Sequence, residues 1–219
     1  MHNLSNSAAL VERVRGGDRD ALGELFEEYR GRLLRLVRVR MDRRVAGRID
    51  PGDVVQETYL EATTRIDEYF RDPKTSLFLW LRFLTVQQLI RHHRRHLGVQ
   101  ARGAGREVSL QHATLPGATS ADLAAQLLGK HTSPSQAAIR AELKMRLEDA
   151  LNAMEPIDRE VLAMRHFEQL TNVEVAEVLG IKESAASNRY VRAVKRLREI
   201  LDQSRLGDSD DVSWSVHQP

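Results

Sequence analysis

Between Thr171 and Leu197 the chain reads TNVEVAEVLGIKESAASNRYVRAVKRL, and this stretch decides the fold. Thr171 followed three residues later by Glu174 is a capping box. The threonine hydroxyl can take the N3 amide, and the glutamate can reach back to the cap amide. The short helix it starts turns Val175, Ala176 and Leu179 inward. Gly180 ends it, as glycine does where a left-handed cap is needed. Ile181 packs, and a new helix begins by about Glu183. Small Ala176, a glycine four residues later and an apolar residue next form a helix-turn-helix pattern. The small residue lets two helices cross closely, and glycine makes the tight turn.

The second helix of that unit shows what it faces. Ala186, Tyr190, Ala193, Val194, Leu197 and Leu201 share one side at helical spacing and read as core. Turning about 100° per residue, the opposite side carries Ser184, Asn188, Val191, Arg192 and Lys195. Arg189 and Arg196 flank it on one edge and Arg198 on the other. Donors at the centre with cations at the rims suit base edges and phosphates in a major groove. Upstream, Pro156 opens a helix with Ile157, Val161, Met164 and Phe167 on its inner side.

Composition fits a polyanion partner. The 219 residues hold 33 Lys+Arg against 31 Asp+Glu, a net charge of only +2. The charges are nevertheless segregated. Arg30–Arg48 has eight Arg against Asp42, Arg91–Arg106 has five Arg and three His with no acid, and Lys182–Arg198 has six cations against Glu183. Such stripes are either solvated helix faces or the footprint of nucleic acid. No Cys is present, which excludes thiol catalysis and thiolate metal sites and fits a reducing, cytoplasmic setting. The most apolar run, Leu77 to Leu84, is interrupted by Arg82 and is too short to span a bilayer. Met1–Leu10 lacks the basic start and apolar stretch of a secretory signal.

Outward from the helix-turn-helix, the chain divides into four parts. Residues 10–97 carry strong helical patterning. Residues 98–135 are rich in Gly, Pro, Ala, Ser and Thr and read as a flexible linker, with a turn or two of helix at Leu123–Leu128. Residues 136–203 are helical again, and 204–219 form an acidic tail with the composition of disorder. The expected fold class is all-α, two small helical domains joined by the linker.

In the first domain a helix begins after Gly16-Gly17-Asp18, with Asp20 as its cap. Leu22, Leu25, Phe26, Tyr29, Leu33, Leu36 and Val37 make its apolar face. A second begins at Asp50-Pro51, a cap followed by proline at the first helical position. Its inner stripe is Val55, Tyr59, Ala62 and Ile66, and its outer side carries Asp53, Glu57, Leu60 and Thr64, flanked by Gln56 and Glu61. A third helical run spans about Thr75 to Leu97, apolar at first and then basic.

These blocks in order resemble the sigma-70 family of bacterial RNA polymerase initiation factors, in the two-domain form called extracytoplasmic-function (ECF) sigma factors. The resemblance rests on Ala21–Tyr29, Asp53–Thr58, Phe70-Arg71, Ser76–Leu81, Arg159–Leu162 and the helix-turn-helix, and covers about residues 10–97 and 136–201. It implies a sigma region 2-like domain at 10–97 and a region 4-like domain at 136–203. The first docks on a coiled coil of the largest subunit of core RNA polymerase through Asp53, Gln56 and Glu57. Phe70, Arg71, Gln87 and Arg91 match positions that recognise and melt the −10 element. The second recognises −35 DNA, with Asn188, Val191 and Arg192 on bases and Arg189, Lys195 and Arg196 on phosphates. Trp80 matches a family aromatic, and core packing is favoured over base stacking for it. The loop Arg71–Ser76 is one residue longer than the common form and contains Pro73, and Gln87 stands where Asn is common. Ser187 stands where Lys or Arg is frequent, and Ala186 replaces a β-branched residue. These departures bear on promoter sequence.

Partners implied are core RNA polymerase, promoter DNA and, as for many relatives, an anti-sigma protein. Insertion into a membrane, a cofactor and catalysis are not. His92 and His96 stand at i, i+4, but no third metal ligand accompanies them. Two rivals remain. A DNA-binding regulator of the response type would use the C-terminal domain alone, without the Asp53–Gln56–Glu57 face. A nucleic-acid enzyme would need a carboxylate cluster for metal or a nucleophile–base pair, and neither motif is present.

Overall fold

The computed structural model describes residues 3–42, 44–45, 47–97, 119–128 and 137–207. Among these, all regular structure is helical: α1 Asn3–Arg15, α2 Arg19–Arg40, α3 Pro51–Arg71, α4 Leu77–Leu97, α5 Ser120–Leu127, α6 Ala137–Asn152, α7 Pro156–Leu162, α8 Asn172–Leu179 and α9 Glu183–Gly207. A π-helical turn, Ala163–Phe167, continues α7.

Several boundaries follow directly from cap chemistry. Asp50 accepts from the Gly52 amide and Pro51 occupies the first position of α3, as the sequence indicates. At α2 the cap is Asp18 rather than Asp20; its carboxylate accepts from both the Asp20 and Ala21 amides. Those two hydrogen bonds, with one from Arg13, hold the Asp18 carboxyl below its ordinary range. Helix α1 was not anticipated. Among its described side chains only Leu10 and Val14 are buried, a stripe too thin to register as periodicity.

Helices α1 to α4 enclose one core. Leu22, Leu25 and Leu33 of α2, Ile66 of α3 and Leu81, Leu84 and Leu89 of α4 are all fully buried in it. A second core gathers Leu123 and Ala124 of α5, Leu147 and Leu151 of α6, Leu162 and Ala163, and Ala193 and Leu197 of α9. The two cores are not separate bodies. Val161, Met164, Leu170, Val175, Ala176 and Ala186 belong to the first, and Val39 of α2 reaches into the second. The helix foreseen near Leu123 is α5. The rest of the linker, residues 98–118 and 129–135, lies outside the described residues, as does the tail from 208 onward. Helix α9 runs to Gly207, four residues beyond the expected domain end.

Candidate nucleic-acid interface

The helix-turn-helix is built as its sequence dictates. The Thr171 hydroxyl accepts from the Glu174 amide at 3.2 Å, and the Glu174 carboxylate accepts from the Thr171 amide at 2.7 Å. Gly180 sits at φ 64°, ψ 33°, the left-handed cap. Its amide and that of Ile181 close the last turn of α8 onto Glu177 and Ala176.

Ala186, Ala193 and Leu197 anchor α9 in the core, with Tyr190 half-buried. Val194 departs from expectation: at 40% exposure it lies on the surface side of that stripe. The Leu201 side chain lies outside the described residues. The opposite side is open. Ser184, Asn188, Val191, Arg192, Lys195 and Arg196 are all exposed. Val191, at 60% exposure, is an apolar contact surface amid donors, the type of group that meets a thymine methyl.

Arg189 differs from its neighbours. Its guanidinium donates to Asp158 at 2.6 Å and reaches Glu155 at 3.4 Å, both at the start of α7. The hydrogen bond to Asp158 is the main reason its pKa lies above the ordinary arginine value. Arg192 is 3.8 Å from the same Asp158 carboxylate. A phosphate can therefore take Arg189 only in competition with Asp158.

In the first domain, Asp53 and Gln56 are exposed on α3 with Leu60, which is 57% exposed. Glu57 is held: His92 of α4 lies 3.0 Å from its carboxylate. One turn on, Glu61 accepts from Arg65, Gln88 and Arg91. Burial pushes the Glu61 carboxyl up, but those guanidinium contacts outweigh it and the net shift is downward. Arg91, expected at −10 DNA, is thus already engaged by Glu61, with half its side chain exposed.

The Phe70–Ser76 loop is closed by the Tyr69 hydroxyl, which donates to the Thr75 carbonyl at 2.8 Å. The Phe70 ring stands edge-on to Tyr69 at 5.0 Å, with the Arg15 guanidinium 5.6 Å from its centroid. Arg71 is exposed at the end of α3. Trp80 is buried against Tyr69, 5.0 Å between rings, which is core packing as favoured. Gln87, half-buried, and Arg91 lie further along α4, about 10 and 16 Å past Trp80 at 1.5 Å per residue. The four residues expected at −10 therefore form two stations, a loop end and a helix side.

Sequence reading missed the contact between the two helical units. Arg40 of α2 donates to Glu168 at 2.6 Å and to Glu160 at 2.8 Å. Arg82 of α4 donates to the other Glu168 oxygen at 2.9 Å. All three members of this Arg40–Glu168–Arg82 cluster are buried, Glu168 to 1% exposure. Burial pushes the Glu168 carboxyl up, but Arg40 and Arg82 more than reverse it, and it is held below the ordinary range. Around the cluster, Arg32 donates to Glu174 and the Gln169 carbonyl, and Arg35 to the Gln169 side chain. Part of the Arg30–Arg48 stripe is therefore committed to the second unit rather than to solvent or a polyanion. A sequence signal existed for one member: Arg82 is a charge set within the apolar run Leu77 to Leu84.

Similarity to known proteins agrees with this architecture. The family model described as Sigma-70, region 4 matches residues 144–197, from the middle of α6 into α9. The ECF RNA polymerase sigma factor SigD of Mycobacterium tuberculosis is 28% identical over 191 residues, 87% of this chain and 82% of that protein. SigK of the same species is 28% identical over 202 residues, 91% of this chain and 96% of that protein. In fold, the chain is similar to CnrH as solved in complex with the cytosolic domain of CnrY. That match has a TM-score of 0.51 at 20% identity and covers 90% of this chain and 98% of that one. Residues 144–197 thus match sigma-70 region 4, with an exposed α9 face, and the chain is similar to ECF sigma factors along most of its length.

Proposed function

We propose that this chain binds core bacterial RNA polymerase and directs it to promoters, with no catalysis of its own. The observation that carries the reading is the open face of α9 on a helix-turn-helix that matches sigma-70 region 4. In this reading Asn188, Val191 and Arg192 contact −35 bases, and Lys195, Arg196 and, once freed from Asp158, Arg189 contact phosphates. Phosphates fix register while base edges supply sequence preference.

Asp53, Gln56 and Glu57 dock on the largest-subunit coiled coil of the polymerase, with Leu60 as an apolar neighbour. The exposure of Asp53, Gln56 and Leu60 on one helix side supports this. His92 fixes the Glu57 rotamer for that contact. At −10, the Phe70–Arg71 loop end receives an unstacked base, and Gln87 and Arg91 of α4 meet the adjoining strand. No helix among the described residues is long and apolar enough to cross a membrane, and the protein works where polymerase and promoter are, in the cytoplasm. An anti-sigma protein is a further partner, in keeping with the fold shared with CnrH bound to CnrY.

The test is assembly. Mixed with purified core polymerase, the chain should co-elute as a stoichiometric complex that retains a promoter fragment at moderate salt. DNA binding that neither needs nor responds to polymerase would instead favour a regulator using α6 to α9 alone.

A further inference from the structure

We infer that Arg15 of α1 is the second wall of the −10 base site: its guanidinium and the Phe70 ring are two flat surfaces between which one unpaired base of single-stranded DNA stacks. The inference rests on the placement of an unstacked base at Phe70 under the proposed function, and it brings in α1, a helix with no assigned role there.

The spacing of the pair is the first reason. The Arg15 guanidinium lies over the Phe70 ring, 5.6 Å from its centroid. Elsewhere in the molecule Arg32 lies over Phe78 at 3.5 Å. That closer pair is in van der Waals contact and has no room for a third layer. The Arg15–Phe70 pair stays within the roughly 6 Å range of cation–π attraction but is not in contact. A planar base between two planar groups needs roughly 3.5 Å on each side, about 7 Å in all. Arg15 need move outward by only about 1.4 Å to admit one.

One wall is fixed and the other can yield. Phe70 is half-buried at the end of α3, edge-on to Tyr69 at 5.0 Å. Tyr69 is held in turn by buried Trp80, 5.0 Å between rings, and by its hydroxyl on the Thr75 carbonyl. The backbone that carries Arg15 is also held, since Val14 is in the core and Arg13 donates to Asp18 at 3.0 Å. The Arg15 side chain is 54% exposed, and its terminal nitrogen donates to Glu12, one turn back on α1, at 3.0 Å. An exposed pair of that kind restrains a side chain weakly.

The chemistry of the two walls suits a base. A guanidinium is planar, weakly hydrated and stacks on aromatic faces. Bases of single strands stack on aromatic rings with arginine adding a cation–π share, and cations alongside follow the backbone. Arg71 and Lys74 are exposed on the same loop, Lys74 at 3.2 Å from Asp72, and supply those cations. Stacking of this type tolerates any base, so Arg15 contributes affinity and order to the unstacked base, while its identity is read by the rest of the Phe70–Ser76 loop.

The test uses the full chain assembled with core polymerase. The probe is a single non-template strand from a promoter that this assembly transcribes, with 2-aminopurine replacing each −10 base in turn. Fluorescence should be quenched by stacking at one position when the strand binds. Arg15→Ala should weaken strand binding roughly fivefold, the low end of what one base stack is worth by alanine substitution, and should relieve the quenching even at saturation. Arg15→Lys keeps the charge but not the plane, and should recover part of the affinity and none of the quenching. Core binding, measured in parallel, reports that each variant is folded. Unaltered binding and quenching in Arg15→Ala, or full recovery of both in Arg15→Lys, would overturn the stacked wall; the second result would leave Arg15 as a phosphate contact. Phe70→Ala separates this from the underlying reading. If it lowers affinity and quenching while Arg15→Ala does neither, the base site stands without α1. If it changes nothing, the placement of the base at Phe70 falls and the pair with it.

Discussion

Glu168 shows how one buried carboxylate can depend on its setting. Its pKa is held down by Arg40 and Arg82, with Glu160 sharing Arg40. A depressed folded-state value means the interaction is fully present above the ordinary carboxylate range and is lost as pH falls through the depressed value. The seam between the two helical units should therefore be insensitive to pH between about 5 and 8, well above the usual Glu value near 4.3, and should loosen only in acid. X-ray scattering against pH should show the radius of gyration rising in acid, less steeply in Glu168→Gln. Replacing Glu168 by Ala removes the carboxylate that Arg40 and Arg82 share. Breaking a buried pair costs about 3–5 kcal/mol, and the loss should fall on the contact between the two helical units rather than on either unit. On α9 the proposed roles of the arginines can be separated. A central arginine on guanine is worth roughly 1–3 kcal/mol of discrimination, whereas a phosphate contact weakens all sequences alike. Arg192→Ala should relax preference at one or two −35 positions, and Arg196→Ala should lower affinity evenly and reduce its salt dependence. Equal losses on every sequence in a −35 library would mean that the α9 face is only electrostatic.

Helices α3 and α8 were legible in the sequence because their ends are written in cap chemistry. Asp50-Pro51 and the Thr171–Glu174 box name a donor and an acceptor at fixed spacing, and both are realised. Gly180→Ala should destabilise the second unit by about 1–2 kcal/mol through its positive φ alone, since a Cβ there meets nothing within 4 Å. Thermal unfolding measures this, and a neutral result would mean that the cap relaxes. Helix α1 and the cap at Asp18 were not legible, because a two-residue stripe carries no period and Asp18 and Asp20 are equivalent on spacing. On α3, the pair Gln56→Ala and Glu57→Ala should leave helical content unchanged and weaken binding to core polymerase by a few kcal/mol if they are central contacts. Unaltered affinity in a titration would remove α3 from the interface. Deleting Pro73 should change which −10 base is preferred while polymerase binding persists. Transcription from a library randomised at −10 reads this directly, and an unaltered preference would mean that the Phe70–Ser76 loop is not the base pocket.

For the whole molecule, sequence reading yields the all-helical class and the exposed polar face of α9, because both depend on local period and local chemistry. The seam between the units depends on which faces meet across more than 120 residues of chain, as in Arg40 with Glu168, and no local pattern encodes that pairing. What the sequence does carry is one mark, a charge inside an apolar run, at Arg82. The same seam explains why Arg32, Arg35 and Arg40 are not free to bind a polyanion while the α9 arginines at 192 and 196 remain exposed. Transcription initiated on a linear template by core polymerase with and without this chain tests the central claim most directly. With the chain, discrete transcripts should start a fixed distance downstream of a shared −35/−10 pair, and changes in either element should abolish them. An unchanged pattern of starts with and without the chain would contradict its assignment as a sigma factor.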